Sequence, residues 1–96
     1  MKQFKRILMD YEEFERAVDM FGILTRVSKK DLKTKYLKLS KKFHPDMPEG
    51  NAEKFLELKK NYDLLCAYMD SYYFSFEKDE FRQQFPSFTN YKNWNK

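Results

Sequence analysis

Apolar and polar positions alternate along this chain with the period of a helix, not of a strand. In DYEEFERAVDMFGI, from Asp10, Tyr11, Phe14, Val18 and Phe21 fall on one side and predict a first helix ending near Gly22, with Asp10 and Glu13 as a capping pair. Phe4, Ile7 and Leu8 continue the same period backwards, which leaves two alternatives open: a helix longer by two turns, or residues 1–9 outside it. Ser28-Lys-Lys-Asp31 has the form of a capping box and predicts a second helix from about Lys29 to Phe43. Within it Leu32, Tyr36, Leu39 and Phe43 form a narrow apolar stripe, while Lys30, Lys33, Lys38 and Lys41 spread over the opposite side.

The stripe stops at KKFHPDMPEG. Pro45 disfavours helical geometry at His44, and Pro48 and Gly50 prolong the break, so His44 is expected at a helix end or in a loop. Phe55, Leu58, Tyr62, Leu65 and Met69 then resume helical spacing and predict a third helix from about Asn51 to Met69. The short connection makes the second and third helices an antiparallel pair. Beyond Met69, Ser75 followed by FEKDEFRQQF predicts a short helix stopped by Pro86. The expected fold class is therefore all-α.

Length and composition sharpen this picture. Ninety-six residues suit one domain, here a core over 10–69 with an aromatic C-terminal segment over 70–96. Ten Phe, seven Tyr and one Trp give a small chain large side chains to bury, and nine of those eighteen rings lie after residue 70. Phe81 and Phe85, spaced i and i+4, are expected to pack on the helical core with Phe88, Tyr91 and Trp94 continuing along it, because exposed rings at this density invite aggregation. Cys66 has no partner for an internal disulfide and lies in the apolar run LLCAYM, which predicts a small buried thiol in a reducing compartment. No apolar run approaches the roughly 20 residues of a membrane span, and the N-terminal stretch turns acidic before a signal-peptide core develops. A soluble, cytoplasmic protein is expected.

Charge is distributed unevenly. The net +4 arises from residues 29–42, where seven lysines face one aspartate for a local +6, while the rest of the chain sums to −2. Such a face can neutralise phosphates, yet Arg6, Arg16, Arg26 and Arg82 all lie off this helix, so the groups that usually read base edges are missing from it. Leu37 projects near the centre of the lysine side, and a leucine framed by positive charge suits an acidic protein surface better than a phosphate backbone.

His44 invites a chemical role, but the ligand set for a metal is absent, and so are a second histidine, an activated serine pattern and a glycine-rich phosphate loop. No catalytic residue, metal site or cofactor is predicted. A histidine that merely ends a solvated lysine helix is the bland alternative.

The stretch YLKLSKKFHPDMPEG resembles the signature of J-domain proteins, the DnaJ-type co-chaperones, in which a basic helix leads into His-Pro-Asp; here these are His44, Pro45 and Asp46. MFGI resembles that family's helix-one ending and KFLELKKNYDLL its third helix, so the resemblance spans about residues 10–69. It implies an antiparallel hairpin of helices two and three, helix one alongside, and the His-Pro-Asp loop exposed at the tip. It further implies binding to a DnaK-type heat-shock chaperone and stimulation of that partner's ATP hydrolysis, with no chemistry on the J-domain itself. The implied contact set is His44, Pro45, Asp46, Lys33, Tyr36, Leu37, Lys38, Lys41 and Lys42.

Three positions depart from the family's pattern. Leu37 stands where a basic residue is frequent, Lys35 where a small alanine is common, and the loop from Asp46 to Phe55 is shorter than in many members. The segment after Met69 replaces a charged fourth helix, and no glycine/phenylalanine-rich linker, cysteine-rich module or substrate-binding domain is present in these residues. Two other functions stay open: an adaptor whose residues 70–96 bind a client or specific partner, and a basic-helix nucleic-acid module.

Overall fold

The computed structural model describes residues 9–86, which form four helices and, among the described residues, no strand. Helix α1 covers Tyr11–Phe21, α2 Lys29–Phe43, α3 Ala52–Asp70 and α4 Lys78–Gln84. The all-α expectation holds, and the first three boundaries fall within a residue or two of those read from periodicity. The backward extension of α1 through Phe4, Ile7 and Leu8 lies outside the described residues.

The helix ends show why the boundaries were readable. α1 stops in a Schellman turn: Gly22 takes left-handed φ 63°, ψ 36°, its N–H donates to the Asp19 carbonyl, and Ile23 N–H donates to Val18 at 3.1 Å. α2 opens with a complete capping box, the Ser28 hydroxyl accepting from Asp31 N–H at 3.0 Å and the Asp31 carboxylate accepting from Ser28 N–H at 3.3 Å. α3 is capped by Asn51, whose side-chain oxygen accepts from Lys54 N–H at 3.1 Å.

The start of α1 corrects an expectation. Asp10 occupies the N-cap but makes no side-chain capping bond; only its backbone carbonyl takes part, accepting the ordinary first helical bond from Phe14 N–H at 3.0 Å. The exposed Asp10 carboxylate stays in solvent, so the first turn is favoured only through its acidic charge beside the helix dipole.

α3 is the central element, packing against both α1 and α2, and the α1–α2 contact is smaller. Ala17, Phe21, Leu32, Leu58 and Leu65 form the buried cluster, flanked by half-buried Phe14, Val18, Tyr36, Leu39 and Tyr62. Tyr36 stacks flat on Tyr62 at 4.1 Å between ring centroids, joining α2 to α3 through paired rings. Tyr11, counted with the apolar face of α1, is exposed: it lies in the first turn, beyond the buried cluster, and meets Phe14 at 6.2 Å. Cys66 is half-buried instead of fully enclosed. Burial raises the pKa of its neighbour Tyr62, and the Cys66 thiol adds to the shift. Asn61 is a buried polar residue that periodicity did not anticipate; it shares the inner face with Leu58 and Leu65 and donates to the Met20 sulfur at 3.1 Å.

The C-terminal region overturns another expectation. Phe81 and Phe85 stay exposed, pack on each other at 5.2 Å, and lie outside the buried cluster. α4 stands outside the three-helix packing, and Arg26 in the α1–α2 connection hydrogen-bonds Gln83 at 2.7 Å. The reason is spatial: α1, α2 and α3 already enclose the small core among themselves, and a two-turn helix after an extended linker has no open face of that core to cover. Phe88, Tyr91 and Trp94 lie outside the described residues.

Candidate functional site

Residues 44–51 form the hairpin tip, and their geometry follows from two prolines and one glycine. His44 has φ −56° and ψ 136°, the extended geometry that a following proline imposes, so α2 ends there. Met47 N–H then donates to the His44 carbonyl at 2.9 Å and Gly50 N–H to the Met47 carbonyl at 2.8 Å, giving two successive turns. Asn51 N–H donates to the Phe43 carbonyl at 3.0 Å, closing the loop across the last residue of α2 and the cap of α3.

Gly50 is required by close approach. A Cβ there would sit 2.1 Å from the His44 carbonyl oxygen and 2.8 Å from that of Met47, both backbone atoms that cannot swing aside. Sequence reasoning treated Gly50 only as a helix interruption. The readable signal was the Gly-Asn pair directly before an apolar helix, a tight turn followed by a cap.

His44 is positioned from two sides. Its ring stands edge-on to Phe55 in the first turn of α3, at 5.5 Å and 75°, and its Nδ1 accepts from Asp46 N–H at 3.2 Å. Nδ1 also lies 3.7 Å from an Asp46 carboxylate oxygen. These contacts are exclusive, because a nitrogen that accepts from an amide carries no proton to share with a carboxylate. The amide contact is the shorter and more directional of the two, and the Asp46 side chain stays 90% exposed. Phe55, read from the sequence as a packing residue of α3, thus also seats His44.

The expected contact residues divide by face. Lys33, Leu37, Lys38, Lys41 and Lys42 are all exposed on α2, with Leu37 half in solvent among them. His44, Pro45 and Asp46 are exposed at the end of the same helix, so the lysine face runs directly into the tip. Tyr36 belongs to the other side, where its ring is stacked on Tyr62. Lys42 and Lys54 approach the Phe43 ring at 5.6 and 5.4 Å, bringing positive charge from both helices to the base of the loop. Ser40, Lys41, His44, Met47 and Phe55 line a shallow, mainly apolar depression beside the tip.

Among the described residues no group of three or more His, Cys, Asp or Glu is placed to hold a metal ion, and no helix is long and apolar enough to cross a membrane.

The DnaJ domain family matches residues 18–69, from the last turn of α1 to the last turn of α3. Protein SIS1 of Saccharomyces cerevisiae is 36% identical over 50 residues, covering 52% of this chain and 14% of that protein. Chaperone protein DnaJ of Bacillus licheniformis is 45% identical over 49 residues, 49% of this chain and 13% of that one, and the protein of the same name from Staphylococcus carnosus is 43% identical over the same length. The chain therefore spans a small fraction of the curated relatives it matches. No solved structure matches it.

Proposed function

Because the chain belongs to the DnaJ domain family, we propose that it is a co-chaperone that docks on a DnaK-type heat-shock chaperone and stimulates that partner's ATP hydrolysis. The observation that carries this reading is the presentation of His44, Pro45 and Asp46 at the hairpin tip, continuous with an exposed lysine face. The family match and the relatives' names support the partner class; the roles of individual residues are inferred from the geometry.

In this proposal the chain performs no bond chemistry. Pro45 fixes the turn, and the His44 ring, held by Phe55 and the Asp46 amide, sets the direction in which the Asp46 carboxylate leaves the loop. A carboxylate so displayed suits a charge-assisted pair with an arginine of the partner. Lys33, Lys38, Lys41 and Lys42 attract an acidic surface and accelerate encounter, while Leu37 covers an apolar spot within it. Stimulation follows if these contacts are stronger in the partner's hydrolysis-competent state than in its resting state, since only differential binding shifts such an equilibrium. The unpaired Cys66 fits a reducing compartment such as the cytoplasm.

The test separates contact from fold. Asp46→Asn and His44→Gln should each abolish stimulation of a DnaK-type ATPase while helical content and melting temperature stay nearly unchanged. Full stimulation by either variant overturns the proposal.

A further inference from the structure

At the end of the hairpin remote from the tip, aromatic rings form a continuous row outside the contact set proposed for the chaperone. Tyr11 and Phe14 of α1 are 6.2 Å apart, Phe14 meets Tyr68 of α3 at 4.7 Å, Tyr68 meets Tyr72 at 6.0 Å, and Tyr72 meets Phe74 at 5.7 Å. Each step lies within the range of direct ring contact. The row joins two separate pieces of chain, α1 and the end of α3 with its following linker, and four of its five members are exposed, Tyr11 at 68% and Phe74 at 71%. Isolated surface rings need no explanation, whereas a contiguous aromatic patch on a small domain marks a contact surface.

The charge around the row selects its partner. Residues 10–19 carry five acids and one arginine, the opposite of the lysine-rich α2. Asp10, Glu12 and Glu15 are exposed and form no ion pair among the described residues, and Glu15 is one turn from Tyr11 on the same helix face. The C-terminal end of α3 lies beside Tyr72; its own last turn contains no basic residue, and the cation paired there, Lys29 of α2, is taken up by Asp70. Electron-rich ring faces rimmed by carboxylates favour cations, through cation–π contact and direct pairing, and disfavour nucleic acid or an anionic lipid surface.

We propose that this row is a docking surface for a segment of another protein in which lysine or arginine alternates with apolar side chains. The apolar groups lie on the rings and the cations meet Asp10, Glu12, Glu15 and the tyrosine faces. A second copy is the poorer occupant: the cationic face it offers is α2, where Leu37 is the one exposed large apolar side chain available to lie on the rings. The row and the tip lie at opposite ends of the hairpin, so one molecule can hold both partners at once. The surface goes beyond the chaperone contact and does not depend on it.

The experiment titrates the full chain into a labelled synthetic peptide alternating lysine with leucine, and into its glutamate–leucine counterpart. The basic peptide should bind saturably and the acidic one should not. Tyr72→Ala with Phe74→Ala, and separately Glu12→Lys with Glu15→Lys, should each weaken binding about tenfold. All these positions are exposed, and ATPase stimulation in the same variants should stay at the wild-type level, so failure here is distinct from failure at the tip. Equal binding of both peptides, or unchanged binding by both double variants, overturns the proposal. So does a dimer in sedimentation equilibrium that these substitutions dissolve, which would make a second copy the occupant.

Discussion

At the tip of the α2–α3 hairpin, residues 44–51 are held by backbone hydrogen bonds and the absence of a side chain at Gly50, whereas at the other end the chain is held by rings packed on rings. The tip therefore keeps its shape without burying its side chains, and His44 and Asp46 remain available to a partner. The base depends on side-chain contact, so changes there alter surface and packing together. Exposed function and buried stability are thus separable at the tip and partly merged at the base.

The largest expected effect breaks both ends at once. Leu58→Ala removes a fully buried side chain on the helix that carries both, and should cost about 2–5 kcal/mol in urea unfolding. In a domain with few buried residues, that is a large share of a typical stability of about 5–15 kcal/mol.

Gly50→Ala aims at the tip's backbone alone. The added Cβ collides with the His44 carbonyl, so the loop must open, with a stability loss of about 1–3 kcal/mol and loss of ATPase stimulation. The contrast with Asp46→Asn, which should lose stimulation at unchanged melting temperature, distinguishes a loop that is misshapen from one that lacks its contact.

Charge reversal at Lys38 and Lys41 should leave folding intact and lower the association rate with the chaperone by about tenfold at low salt, with a flatter salt dependence in stopped-flow measurements. Comparable binding of the wild type to duplex DNA at physiological salt would return weight to a nucleic-acid role.

The smallest effect belongs to Lys29, whose ammonium pairs with Asp70 and links the start of α2 to the end of α3. The hydrogen bond to Asp70, with its charge, raises the Lys29 pKa above 10.5. A raised folded-state value means the pair stabilises the fold below pH 10.5 and is lost as pH rises through the raised value. The melting-temperature gap between wild type and Lys29→Met should therefore be small and constant at neutral pH and close in strong alkali.

Much of the fold was legible because the helix boundaries are marked by local chemistry. Ser28 with Asp31, Gly22, and Pro45 act within a few residues of themselves, and each terminus formed where that chemistry placed it. The exposure of Lys33, Leu37, Lys38 and Lys41 was readable for the same reason, since a helix's period alone separates its faces. Asp10 misled because an acidic residue before a helix can cap it or face solvent, and residue type does not decide which. Phe55 and Gly50 were undervalued because their roles depend on an atom reached only across the loop, the His44 ring for one and its carbonyl for the other.

The aromatic tail shows the limit most clearly. Spacing placed Phe81 and Phe85 on one side of a short helix, but spacing carries no information about whether a core has room for them. By itself the sequence determined where helices start and stop, which side of α2 is charged, and that His-Pro-Asp interrupts it, because these depend on propensity, caps and periodicity within a few residues. Only the tertiary structure decided that Tyr36 belongs to Tyr62, that His44 rests on Phe55, and that five rings from α1, α3 and the following linker meet in one row. Those pairings depend on which helices come together, and the small core closed by α1, α2 and α3 leaves the rings beyond it at the surface.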